Sequence, residues 1–275
     1  TMEIDDSHGP VAASGIVLDG EMKSQAHVNF NGDSLSIGGA GVTDNSTNTQ
    51  VNLNFNCPVE LTASQTWMTE RVSRLDLLGT VFLNGGLSSA AGATVTFDGD
   101  GLADPGERYT ATSHRSMRPC FKFPVSNSLL GPVKVANGAA LILQYSQGDH
   151  GTRLCEPQPL GLEGGALFCT GKDLQTTQEL ANVTIGHGYN AIGGYNGNTV
   201  FRIGEITRDG HGGTLDFPVS WSGGGQALYS DLAANTILDG WATMNDASWV
   251  KGAATGVEAA DNGNQRNVQN WPNDA

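Results

Sequence analysis

Between residues 175 and 249, apolar side chains fall on every second position in short runs: Val183 and Ile185, then Phe201 and Ile203, then Leu215, Phe217 and Val219. Period two sends one set of side chains into a core and the other into water, so each run predicts a β-strand. Between the runs lie Gly186-His187-Gly188-Tyr189-Asn190, Asn196-Gly197-Asn198 and Gly212-Gly213. Such glycine and asparagine clusters supply the positive-φ corners that bend one strand into the next. Upstream the same alternation marks Val28 and Phe30, Leu35 and Ile37, and, most regularly, Val51, Leu53 and Phe55 interleaved with Asn52, Asn54 and Asn56. If neighbouring strands are parallel and in register, that asparagine row stacks as an amide ladder.

Further pairs follow: Val59 and Leu61, Leu75 and Leu77, Val81 and Leu83, Val95 and Phe97, Val133 and Val135, then Leu141, Leu143 and Tyr145, with residues 237–243 as the last strong strand. The best helical candidate, residues 227–234, offers one or two turns. The chain is therefore all-β, and a wound α/β sheet is excluded. The spacing of strands, roughly 6 to 16 residues, fits either a sandwich or a β-solenoid. Leu53, Phe55, Leu61, Leu75, Phe201, Ile203, Leu215 and Phe217 are the predicted inward column. Residues 1–20 read as an N-terminal arm, 21–252 as one β domain and 253–275 as a polar tail. Proline, arginine and histidine break the rhythm near 98–130, an irregular excursion from the regular core.

Composition narrows the partners. In 275 residues, 14 Lys and Arg stand against 28 acids, a net charge of −14. That sign argues against nucleic acid and anionic membrane as partners, and suits a protein kept soluble outside a cell. No apolar run approaches the 18 or so residues of a membrane-spanning helix, so no membrane insertion is expected. The four cysteines, Cys57, Cys120, Cys155 and Cys169, contain no CxxC pair. Their even number suggests two disulfides in an oxidising compartment, with Cys155–Cys169 and Cys57–Cys120 as the first of three connectivities to try.

Several stretches carry a more specific pattern. Gly38-Gly39-Ala40-Gly41-Val42 leads through Thr49-Gln50-Val51-Asn52-Leu53-Asn54 and Cys57-Pro58-Val59-Glu60-Leu61 to Ser64-Gln65-Thr66-Trp67 and Leu75-Asp76-Leu77-Leu78-Gly79. Later come Val135-Ala136-Asn137-Gly138, Gly164-Gly165-Ala166-Leu167, Gly212-Gly213-Thr214-Leu215-Asp216-Phe217 and Ile237-Leu238-Asp239-Gly240-Trp241. Over about residues 35–250 the chain resembles the autotransporter-associated β-strand repeat. The resemblance implies a right-handed parallel β-helix from a secreted or surface-displayed bacterial protein, serving as stalk, adhesin or extracellular matrix. The four cysteines, the basic stretch at 108–122 and the lack of a following β-barrel translocator depart from that pattern. A β-helix of this size has on the order of ten rungs. Its strand edges lie only at the two ends, so the expected partners are a second copy stacked head to tail, neighbouring surface proteins, or glycans on its flanks.

Candidate chemistry is sparse. Asp98, Asp100, Asp104 and Glu107, with Gly101 between, match positions 3, 5, 9, 12 and 6 of a calcium loop, although position 1 would be Thr96. A structural Ca²⁺ is the one cofactor this suggests; the bland alternative is a solvated acidic turn. β-Helices also host polysaccharide hydrolases and lyases, but Glu60, Asp76, Glu205 and Asp216 fall on outward strand positions, one per rung, without a flanking basic cluster. No catalytic residues are assigned and the expectation is a non-enzyme. Trp67 and Trp241 belong to the repeat motifs and are expected to close the apolar column, whereas Trp221, in a Ser/Gly coil, is the candidate for stacking on a sugar. His187 and His211 read as solvent-facing turn residues.

Overall fold

A computed structural model of the chain describes residues 2–3, 10–21, 26–47, 51–69, 71–72, 77–78, 80–99, 120–145, 153–154, 159–170, 175–195, 198–210, 212–218, 226–230, 240–244, 248–253 and 256–259. Among them there are strands and turns and no helix. The strands of the N-terminal half are β1 (Met2–Glu3), β2 (Val11–Glu21), β3 (Ala26–Asn31), β4 (Leu35–Thr47), β5 (Val51–Phe55), β6 (Val59–Leu61), β7 (Gln65–Thr69), β8 (Arg71–Val72), β9 (Leu77–Leu78), β10 (Thr80–Leu83), β11 (Leu87–Ser89) and β12 (Val95–Asp98). The remainder are β13 (Cys120–Phe123), β14 (Val133–Ala136), β15 (Ala140–Gln144), β16 (Leu160–Glu163), β17 (Ala166–Thr170), β18 (Gln175–Ile185), β19 (Tyr189–Tyr195), β20 (Asn198–Arg208), β21 (Thr214–Phe217), β22 (Gln226–Ser230), β23 (Ala242–Met244), β24 (Ser248–Ala253) and β25 (Gly256–Ala259).

These strands coil into a parallel β-solenoid. The first wall runs β1-β3-β5-β10-β13-β15-β17-β19-β21-β23, each strand parallel to the next. Along it Val28, Leu53, Val81, Phe121, Leu141, Leu167 and Ile192 stand in register. Their numbers give steps of 25, 28, 40, 20, 26 and 25 residues, so one coil takes about 25 residues. The step of 40 contains residues 99–119. Residues 100–119 lie outside the described residues, and the wall already resumes at Cys120, within the span read as irregular.

The opposite side is made of two shorter runs per coil. Leu35, Val59 and Leu87 are in register in one, and Val42, Trp67, Phe97, Val135, Leu162 and Ile185 in the other. β4 serves both, pairing with β6 through Leu35–Ile37 and with β7 through residues 42–44. The bend between its halves depends on Gly41, which has φ +68° and would place a Cβ 2.0 Å from the carbonyl oxygen of Thr66 on the next rung. Gly41→Ala meets both a left-handed backbone and a backbone overlap, so about 3 kcal/mol or more of stability should be lost. Urea unfolding followed by circular dichroism checks this, and a loss below about 1 kcal/mol, the cost of an ordinary surface glycine change, would contradict it.

Inside, the column is mainly apolar. Leu53, Phe55, Leu61, Leu215, Ile203 and Phe217 are buried as predicted; Leu75 and the side chain of Phe201 lie outside the described residues. An aromatic spine crosses the rungs: Phe30 stacks on Phe55 with centroids 4.5 Å apart, Phe55 meets Trp67 at 5.2 Å, Trp67 meets Phe97 at 6.4 Å, and Phe97 meets Phe121 at 4.7 Å. Trp67 is wholly buried, while Trp241 is half-buried against the core. From β13 to β19 part of the outer face of the first wall is buried too, although Lys122 is half-buried and Gln144 exposed. Cys120, Ala140, Ile142, Ala166, Phe168 and Ala191 form a second apolar cluster with Tyr189 packed on it.

The amide ladder forms at Asn54 and Asn56 but not at Asn52, which stands in register with His27 and Thr80 and whose buried Oδ1 has no hydrogen-bond partner among the described residues. Asn54 Nδ2 donates to Asn29 Oδ1 at 2.8 Å, and Asn84 Nδ2 donates to Asn56 Oδ1, whose own Nδ2 donates to Asn31 Oδ1, at 2.8 and 2.9 Å. Identical side chains one rung apart satisfy one another only when strands are parallel and in register. Two further points depart from the sequence reading. The helical candidate at 227–234 begins instead as β22, because residues 226–230 pair with residues 199–203 of β20 and that pairing outweighs the helix propensity of Ala and Leu. Strands also occur among residues assigned to the arm, β1 and most of β2, and to the tail, β25. At the C-terminal end the direction reverses, β24 running antiparallel to both β23 and β25.

Candidate functional site

The polar residues inside this solenoid are where chemistry would be sought. Among the described residues the buried polar side chains are Asp44, Gln65, Thr69, Thr80, Ser89, Asn127, Arg153, Gln178, Asn190 and Asp216, the last of them on the outer side of the first wall. Gln65, Gln178, Asn190 and Asp216 lie within strands and Asn127 and Arg153 between them, and several reach backbone groups at the corners, where those groups lose their ladder partners. Asn190 shows how they are used. Its Oδ1 accepts from the backbone N–H of Gly164 and Gly165, at 2.8 and 3.2 Å, and its Nδ2 points to the carbonyls of Gly186, Gly188 and Thr214 at 3.1 to 3.3 Å. One side chain thus ties three successive corners together. Gln65 does the same work beside the spine, donating to the Ile37 and Ala63 carbonyls and accepting from Trp67 Nε1 at 2.9 Å.

The largest buried network joins Asn127, Arg153, Gln178 and Tyr145. Gln178 Oε1 accepts from Tyr145 Oη, from the Arg153 N–H and from the Leu154 N–H at 3.1, 3.1 and 3.2 Å. Its Nε2 donates to the Glu179 carbonyl at 2.9 Å and the Leu154 carbonyl at 3.4 Å. Asn127 accepts from the Leu87 N–H at 2.7 Å and donates to the carbonyl of Arg153 at 2.7 Å. The Arg153 guanidinium lies 4.6 Å from the Tyr145 ring centroid, and its Nε donates to the Gln144 carbonyl at 2.8 Å. These groups are committed to holding residues 153–154 against the neighbouring rungs. Sequence reading missed this network, because the pattern along one strand does not fix which residues lie one rung above and below.

Of the calcium candidates only Asp98 lies among the described residues. It ends β12 one rung before the Asn137-Gly138 turn, and both of its carboxylate oxygens accept from Asn137 Nδ2 at 3.0 Å. Asp100, Asp104 and Glu107 lie outside the described residues, as do Trp221 and His211. Among the described residues no group of three or more His, Cys, Asp or Glu side chains is placed to hold a metal ion. The outward acids separate: Glu60 is exposed and accepts from Ser36 Oγ at 3.2 Å, and Glu205 is exposed on β20. Asp216 differs from its reading as a solvent-facing acid. It takes an outward position of the first wall yet is buried, accepting from Thr243 Oγ1 at 2.8 Å. Asp76 lies outside the described residues, and His187 is exposed in its turn.

The cysteine pairing expected from the sequence is not formed. Cys57, Cys120 and Cys169 are buried thiols, while Cys155 lies outside the described residues. The Cys57–Cys120 bridge fails for a geometric reason: Cys57 belongs to the interior cluster and Cys120 to the cluster on the outer face, with the first wall between them. Burial pushes the Cys169 thiol well above the usual cysteine range, against an opposing pull from the Arg153 charge, and burial also raises Cys57. A thiol with a raised folded-state pKa is stabilised in its neutral form. Its contribution is complete below the unfolded-chain pKa and is lost as pH rises through the folded value. At pH 8 both thiols should resist an aromatic disulfide reagent in the folded protein and react within minutes in 6 M guanidinium; fast reaction of either in the folded state would contradict this burial.

Compared with protein-family models, curated proteins and solved structures, the chain matches none.

Proposed function

We propose that the chain is a structural or adhesive β-helix of the bacterial cell surface or extracellular matrix, of the autotransporter-associated repeat type, acting through its outer flanks. The observation that carries this reading is how the interior is used. The column is filled mainly by apolar and aromatic side chains, and the buried amides Gln65, Asn127, Gln178 and Asn190 hydrogen-bond to backbone groups of neighbouring rungs. Such a design invests its polar groups in holding rungs together, as a load-carrying or display element requires. Charge and repeat resemblance support an extracellular setting; with three cysteines present as thiols, disulfide formation no longer contributes to that argument.

The alternative is a carbohydrate-binding or polysaccharide-degrading β-helix. One feature favours glycan binding: the amide rows of β3 and β5 lead on the same outer face to Phe82, whose ring has the Lys122 ammonium 4.7 Å from its centroid. Amides and an aromatic edge are the groups that recognise sugar hydroxyls and rings. Calcium at Asp98, Asp100, Asp104 and Glu107 would be structural under either reading, and an unchanged melting temperature on adding EGTA would dispose of it.

The test is to image the purified protein by negative-stain electron microscopy, measure its attachment to bacterial cells, and assay soluble polysaccharides for binding and for release of reducing ends. The structural reading expects assemblies or cell attachment without sugar release. Saturable binding of one polysaccharide with new reducing ends, and neither assembly nor attachment, would replace it with the alternative.

A further inference from the structure

We draw no further inference here: the strongest candidate, the β2 edge of the rod, where Val11, Ile16 and Leu18 are only half-buried against the core and β4 is the one strand paired with β2 among the described residues, carries nothing because nothing in the structure shows what covers it.

Discussion

Replacing Trp67 by alanine should cost about 3–5 kcal/mol and cause the N-terminal coils to unfold at markedly lower urea concentration than the parent. Trp67 is wholly buried, lies between Phe55 and Phe97 in the aromatic spine, and is in register with Val42 on one rung and Phe97 on the next. Its removal deletes contacts on three successive rungs and leaves Gln65 Oε1 without the indole N–H that it accepts. In a solenoid each coil is stabilised mainly by its neighbours, so a void there uncouples the coils on either side. Circular dichroism during urea unfolding should show either a lower midpoint or a separate early transition. Val17→Ala, at a side chain 67% exposed, is the control and should shift stability by no more than about 0.5 kcal/mol. Equal, small effects of both substitutions would mean that the spine does not hold the rungs together.

The second large effect is expected at a polar residue. Gln178→Leu keeps the volume but removes one acceptor from three donors, Tyr145 Oη, Arg153 N–H and Leu154 N–H, and two donations to the carbonyls of Leu154 and Glu179. A buried group left without its partner costs about 1–3 kcal/mol, so a loss of roughly 3 kcal/mol or more is expected even after relaxation. Local release should accompany it. Amide exchange at Arg153 and Leu154 should accelerate more than at the inward residues of β5, since Gln178 is their acceptor. If Gln178→Leu were neutral, or if exchange rose uniformly along the chain, the glutamine would not be the clamp described.

How much of this was legible in the sequence depends on what each strand faces. β5 announced itself because Val51, Leu53 and Phe55 face the interior while Asn52 and Asn54 are only half-buried on the other side, a contrast of period two. In β15 and β17 the contrast vanishes. Ala140, Leu141, Ile142 and Leu143 are all buried, as are Ala166, Leu167, Phe168 and Cys169, because the wall is covered on both faces there. A doubly covered parallel strand reads as a continuous apolar run, so the second cluster was invisible to an argument from alternation. β13 was hidden differently: its inward pair Phe121 and Phe123 lies between Pro119 and Pro124, and the prolines read as part of the excursion.

The candidate site was the least readable part. The spacing of Asp98, Asp100, Asp104 and Glu107 is local and readable, whereas the hydrogen bonds that Asp98 accepts from Asn137, 39 residues away, are not. The clamps at Gln178 and Asn190 likewise reach residues 24 to 33 positions distant, a separation set by the length of a coil and its insertions. Periodicity fixes which face a residue takes on its own strand. It does not fix which residue lies one rung above, and that neighbour decides whether an amide is a ladder, a clamp or a surface group.

All of these expectations rest on parallel strands stacked in one register. The most direct test is a cross-link between Thr184 and Thr207, exposed residues paired between β18 and β20 whose Oγ1 atoms lie 3.4 Å apart. Adjacent in-register strands place Cα atoms within the range a disulfide spans. The double variant Thr184→Cys, Thr207→Cys should therefore oxidise almost completely to a 184–207 bond, identified by peptide mass spectrometry without reduction, while Thr184→Cys paired with Glu205→Cys should remain largely reduced. A bond at 184–205 in preference to 184–207, or none at either, would contradict the stacked register.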